Sequence, residues 1–94
     1  MNDFQKAAAV LAQQQGFEAP LMARYADLVS EIGELGKELL AGSDYGNKQF
    51  VATDNLVYEV GDVAFALAML ANSLDLDLDA CFEQAMEKYR QRWG

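Results

Sequence analysis

Histidine is absent from this 94-residue chain, and cysteine occurs once, as Cys81. These absences exclude a zinc site built from cysteine and histidine, a Cys-His nucleophile pair and an intramolecular disulfide. A single cysteine suits a protein of the reducing cytosol, so a cytoplasmic location is expected. Cys81 lies between Ala80 and Phe82 and is itself expected to be a small buried residue.

Basic residues are scarce as well. Seven lysines and arginines stand against 15 aspartates and glutamates, which gives a net charge of -8. This balance argues against nucleic acid as a partner, because phosphate backbones bind to basic patches, and a polyphosphate ligand would need a cation as intermediary. The N-terminus lacks the basic start and apolar stretch of a signal peptide, and no run reaches the roughly 18 apolar residues of a membrane span. A soluble protein with no membrane contact is therefore expected.

Proline occurs once and glycine seven times, so the chain has few helix-breaking residues, and its apolar residues recur at helical spacing. The pattern predicts one all-α domain over residues 1–94, with four helices. They are expected over residues 4–15, residues 20–42, from a cap at Thr53 or Asp54 to residue 73, and residues 77–93. Pro20 is placed in the first turn of the second helix. The alternating segment LDLDLD has no strand to pair with and is interpreted as the entry into the last helix.

Acidic residues gather on the flanks of two predicted helices. The second helix carries an acidic strip beside its apolar stripe, formed by Asp27, Glu31, Glu34 and Glu38. On the third helix, Glu59 and Asp62 stand three residues apart. If these flanks face each other, repulsion disfavours full ionisation of the carboxylates unless a cation lies among them. The expected ligand is a hard divalent cation such as Mg2+, which prefers oxygen donors.

Other interpretations of the acidic strip stay open at this stage. Glutamate is a good helix former and Lys37 lies beside the strip, so a solvated acidic face is the ordinary explanation. A non-catalytic helical interaction module is a second alternative. A di-iron carboxylate bundle is disfavoured, since it needs a Glu-x-x-His element and the chain has no histidine. Gly33 and Gly61 each lie inside a carboxylate pair, where glycine is costly in a helix, and this conjunction favours a site.

The segments EIGELGKEL and EVGDVAFALAMLANSLDLDLDACFEQAMEKYRQRW resemble the MazG-type family of all-helical nucleoside triphosphate pyrophosphohydrolases. The hallmark of that family is an ExxE pair on one helix and an ExxD pair on the next. Here the pairs are Glu31 with Glu34 and Glu59 with Asp62. The similarity covers about residues 25–93 and includes the basic residues of the last helix. Met86 departs from the pattern, because many relatives have asparagine at that position.

The resemblance implies a four-helix, bundle-like fold completed by homo-oligomerisation. It also implies cleavage of a nucleoside triphosphate between the α and β phosphates, in nucleotide-pool housecleaning, with Mg2+ held by the four carboxylates and Mn2+ as a possible substitute. Either Glu34 or Glu38 would act as general base. The expected phosphate contacts are Lys88, Arg92 and, in the loop, Lys48.

Residues 63–70 are apolar all round, which in a soluble protein of this size indicates burial on every side. A subunit interface is the simplest way to supply such burial, so a homodimer or a tetramer of two dimers is expected, with the third helix at the interface.

Overall fold

The computed structural model describes residues 1–94 and contains four α-helices and no strand. They are α1 (Asp3–Gln15), α2 (Leu21–Gly42), α3 (Leu56–Ser73) and α4 (Leu78–Trp93). The all-α prediction is confirmed.

Three of the four predicted helix starts agree with the structure to within a residue. Asn2 caps α1 in a capping box with Gln5, and α1 ends at Gly16, whose positive φ of 70° suits glycine. Pro20 directly precedes α2 rather than lying inside its first turn. Asp77 caps α4 by accepting a 2.9 Å hydrogen bond from the Ala80 N–H.

The predicted start of α3, with Thr53 or Asp54 as its cap, is one or two residues too early. The helix begins at Leu56 and follows Asn55, which makes no side-chain capping bond. Thr53, one of the two expected caps, instead donates its hydroxyl to the carboxylate of Glu38 on α2. The side chain that the sequence suggested as a cap is therefore used to tie the loop to the neighbouring helix.

Helices α2 and α3 form the most extensive contact in the chain and run antiparallel, while α1 packs against α3. The small core consists of Ala8, Ala12, Ala68 and Met69, with Phe65 and Leu78 packed against it. No residue of α4 is buried, so this helix joins the core only through its first turn.

Gln5 is the largest fully buried side chain of the fold, at 0% exposure. Its amide nitrogen donates to the Asn72 side chain at 3.0 Å and to the Leu76 carbonyl at 2.8 Å. Its amide oxygen accepts from the Leu78 N–H at 2.7 Å. One α1 side chain thus fixes the end of α3 and the start of α4.

Most residues of the chain are at least partly accessible to solvent, since only 8 of 94 are buried. Cys81 is exposed, which contradicts the prediction that it is buried. The reason is that it lies on α4, none of whose residues is buried within the chain.

By length and composition alone, α3 would be able to cross a membrane, with 18 residues and a mean hydropathy of 1.3. In the fold it packs against α1 and α2 and carries Glu59 and Asp62. Four of its residues, Ala66, Ala68, Met69 and Ala71, are buried in the chain. Only 22% of the segment is buried within one chain.

Candidate functional site

Three carboxylates meet where α2 and α3 face each other. Glu31 on α2 and Glu59 and Asp62 on α3 each offer an oxygen atom, and these atoms lie within 4.8 Å of one another. The spacing of three residues places Glu59 and Asp62 on one side of α3. The antiparallel packing then brings Glu31 opposite them.

The cluster is electrostatically strained. Glu31 is half-buried, and this desolvation raises the pKa of its carboxyl. Repulsion raises the same pKa further, from Asp62, Glu59, Glu34 and Asp27 in decreasing order. An all-oxygen donor set that repels itself in this way fits a hard divalent cation and fits softer metals poorly.

Glu34, predicted as both ligand and base, lies outside this group of three. It is exposed on α2 and forms an ion pair with Lys37 at 3.6 Å. The structure therefore brings together three of the four predicted metal ligands and leaves Glu34 one helical turn beyond them.

Glu38 is connected to the cluster through an asparagine. Its carboxylate accepts hydrogen bonds from Thr53 and, at 3.2 Å, from the Asn55 amide. These two bonds lower the pKa of Glu38 and keep it ionised. The same Asn55 amide donates to Glu59 at 3.0 Å. Sequence reasoning missed Asn55, and its only signal was a position four residues before Glu59.

The predicted phosphate-binding cations lie elsewhere in the chain. Lys48 is exposed in the turn after α2. On α4, Lys88 lies 5.0 Å from the centre of the Tyr89 ring and Arg92 lies 5.9 Å from that of Trp93. None of the three forms an ion pair with a carboxylate. Because α4 has no extended packing against α2 or α3, one chain alone does not bring its basic residues to the cluster.

A cavity of about 370 Å³ adjoins the carboxylate cluster. Glu31 and Asp62 belong to its wall, and the α1–α2 connection closes another side through Phe17, Glu18 and Ala19. The remaining lining residues are Arg24, Asp27, Phe65, Ala66 and Met69. A recess lined half by apolar and half by charged side chains, next to an acidic cluster, has the shape and lining of a small-molecule site.

The sequence profile of the MazG nucleotide pyrophosphohydrolase domain matches residues 21–93, which include α2, α3 and α4. The chain belongs to the MazG nucleotide pyrophosphohydrolase family. It is accordingly an enzyme, and all three carboxylates of the cluster lie inside the matched region.

Relatives of known structure agree with this assignment. The Bacillus-conserved MazG protein, a nucleotide pyrophosphohydrolase, superposes with a TM-score of 0.75 at 31% identity, over 93% of this chain and 85% of that one. The crystal structure of Bacillus subtilis YpjD superposes with a TM-score of 0.77 at 35% identity, over 98% and 94% of the two chains. In sequence, YpjD of Bacillus subtilis strain 168 is 39% identical over 82 residues, or 84% of this chain and 71% of YpjD.

Proposed function

We propose that this MazG-family enzyme is a Mg2+-dependent nucleoside triphosphate pyrophosphohydrolase. It cleaves the substrate between the α and β phosphates, releases a nucleoside monophosphate and pyrophosphate, and serves nucleotide-pool housecleaning in the cytoplasm. The observation that supports this most is the convergence of Glu31, Glu59 and Asp62 inside the family-matched region.

Glu31, Glu59 and Asp62 would hold the metal ion, and Mn2+ should substitute because it accepts the same oxygen donors. A divalent ion there would neutralise phosphate charge and lower the pKa of a bound water. Asn55 would orient Glu59, since its amide bridges Glu38 and Glu59.

Of the two predicted general bases, Glu34 suits the role better. Glu38 already accepts two hydrogen bonds, and the resulting lowered pKa makes it a weaker proton acceptor. Glu34 is exposed, lies next to the cluster and is engaged only by Lys37. We therefore assign proton abstraction from water to Glu34 and an orienting role to Glu38.

Lys88, Arg92 and Lys48 remain the proposed phosphate contacts. Since α4 has no extended packing against its own α2 and α3, its cations would reach a cluster most directly in a homodimer or tetramer, where α4 of one subunit can approach the partner. Oligomerisation would therefore complete both the fold and the site.

The test is a screen of the eight common nucleoside triphosphates with Mg2+, Mn2+ or a chelator, with pyrophosphate release as the readout. We expect metal-dependent pyrophosphate release from at least one substrate. A chain that releases none, and whose melting temperature does not respond to Mg2+, would instead be a non-catalytic acidic interaction module.

A further inference from the structure

Arg24 is a buried cation that no carboxylate neutralises. It is only 8% exposed, yet it forms no ion pair. One terminal guanidinium nitrogen donates to the Phe17 carbonyl, and the Nε–H has no partner. Burying a charged donor without a partner is costly, and a guanidinium has donors only. The Nε atom is itself shielded from solvent, so an acceptor from outside the chain would meet the terminal guanidinium nitrogens, where Arg24 borders the cavity.

The position of Arg24 shows where that acceptor would lie. Arg24 precedes Glu31 by seven residues on α2, which is two helical turns or about 10 Å. On the antiparallel α3, Asp62 and Met69 are separated by the same interval. Glu31 and Asp62 thus mark the acidic end of the cavity, and Arg24 lies at the other end.

The wall between these ends is largely apolar. Phe17, Phe65, Ala66 and Met69 line it, and Asp27 is the only carboxylate between the cluster and Arg24 along α2. Aromatic and apolar side chains suit the faces of a flat ring, and a donor at the far end suits its polar edge. A nucleotide with its phosphates at the acidic end would place its base in this part of the cavity.

We propose that Arg24 is a specificity-determining residue that donates a hydrogen bond to a carbonyl oxygen on the nucleobase. This inference rests on the proposed function and deepens it. The oxygen meant is O6 of guanine or O4 of uracil or thymine, so the favoured substrates carry these three bases. Adenine and cytosine present an amino donor at the corresponding position, which would leave two buried donors facing each other.

The experiment compares base preference in the parent, Arg24→Gln and Arg24→Lys. Lys6→Gln is the matched control, because it removes one positive charge from an exposed position of α1, away from the cavity. The kcat/KM is measured for dGTP, dTTP, dATP and dCTP with Mg2+. Binding of the four corresponding monophosphates is measured by calorimetry, since these carry the same bases and contain no anhydride to cleave.

We expect the parent and Lys6→Gln to prefer keto bases by about tenfold or more in both measurements. In Arg24→Gln the preference should collapse, because an amide can accept as well as donate. Arg24→Lys keeps the charge but loses the guanidinium fork, so its preference should be intermediate. Melting curves establish that each variant is folded. If Arg24→Gln does not fold, the parent's own preference and Arg24→Lys decide the question.

The outcomes separate this inference from the proposed function. Hydrolysis without a keto preference, or with a preference that survives Arg24→Gln, overturns the role of Arg24 and leaves the activity standing. If the protein instead binds keto monophosphates selectively, in a way that depends on Arg24, and hydrolyses no triphosphate, that result supports recognition of the base by Arg24 and overturns the proposed reaction. If the protein shows neither hydrolysis nor selective binding, both the role of Arg24 and the proposed reaction are overturned.

Discussion

Glu31 is the residue at which burial and repulsion act together. Desolvation and four neighbouring carboxylates raise its pKa, so the folded, metal-free protein holds a proton there more tightly than the unfolded chain does. The contribution of such a group to stability is therefore present at low pH and is lost as the pH rises from the unfolded pKa, near 4.5, through the raised folded value.

Replacing this carboxylate should consequently stabilise the metal-free protein. We expect Glu31→Gln to unfold at higher urea concentration than the parent at about pH 7, and at a similar concentration near pH 4, where Glu31 is protonated. The rise in melting temperature on adding Mg2+ should shrink in the variant, because a metal ligand is lost. Equal unfolding midpoints of parent and variant at neutral pH would contradict the electrostatic account. Glu83→Gln, an exposed position on α4, is the control.

Glu34 is expected to behave differently, because it lies outside the group of three. Glu34→Gln should lower the hydrolysis rate on the order of 100-fold, the scale of losing a general base, while keeping most of the Mg2+-induced rise in melting temperature. Pyrophosphate release and melting curves measure the two effects separately. Loss of both together would make Glu34 a metal ligand instead, and unchanged hydrolysis would remove it from the reaction.

At the scale of helices, the buried Gln5 network holds α1, α3 and the start of α4 together. Gln5→Ala would leave the Leu76 carbonyl and the Leu78 N–H without their partners. An unsatisfied buried polar group costs about 1–3 kcal/mol, so we expect a loss of at least about 2 kcal/mol in the free energy of unfolding. Chemical denaturation measures it. Gln14→Ala, an exposed change on the same helix, should have little effect, and an equal loss in both variants would contradict the network's role.

Gly33 makes a different test of α2. A methyl group at this helical position would meet no atom of its own chain within 4 Å. Gly33→Ala should therefore stabilise the fold by up to about 1 kcal/mol through helix propensity. Thermal unfolding checks the sign, and a lower melting temperature would show that a second subunit occupies the space beside the glycine.

What the sequence predicted at this scale follows from local chemistry. Helix periodicity and the entry of the LDLDLD segment into the last helix depend on neighbouring residues, and both were predicted; the Asn2 and Asp77 caps and the Gly16 stop are local in the same way. The start of α3 was not predicted correctly, because the Thr53 hydroxyl bonds to Glu38, fifteen residues away. Gly33 and Gly61 were interpreted as favouring a site, yet a Cβ at either position would meet no atom of the chain within 4 Å.

The candidate site, like the fold, was predictable only in part. Spacing alone placed carboxylates on the facing flanks of two helices, and the structure brings Glu31, Glu59 and Asp62 together. Spacing did not reveal Asn55, because its hydrogen bonds to Glu38 and Glu59 depend on the register of α2 against α3. It did not reveal Arg24 either, because the contact of Arg24 with Phe17 depends on the α1–α2 connection. Such roles depend on long-range packing that one sequence does not encode visibly.

For the molecule as a whole, the surface is too large for a self-sufficient fold. The accessible area is 6882 Å², whereas a folded monomer of 10.4 kDa has about 5,400 Å². Apolar side chains on the outer faces of α2 and α3 account for much of the excess, including Tyr25, Val29, Ile32, Leu39, Val57, Val60 and Leu67. So many exposed apolar side chains on two packed helices indicate a protein interface.

We therefore predict a homodimer, or a tetramer of two dimers, with α2 and α3 at the interface. Val29→Asp should shift the chain towards monomer, since it places a charge on a side chain that is 50% exposed in one chain but would be buried between two. Val10→Asp is matched in residue type and in exposure, at 52%, but lies on α1 and should leave the assembly intact. Light scattering during size-exclusion chromatography measures the mass of each variant. A parent that is monomeric at about micromolar concentration with full helicity would contradict the prediction, and so would equal dissociation in both variants.

If the basic residues of α4 act on the partner's cluster, hydrolysis by Val29→Asp should fall as the dimer dissociates and recover at higher protein concentration.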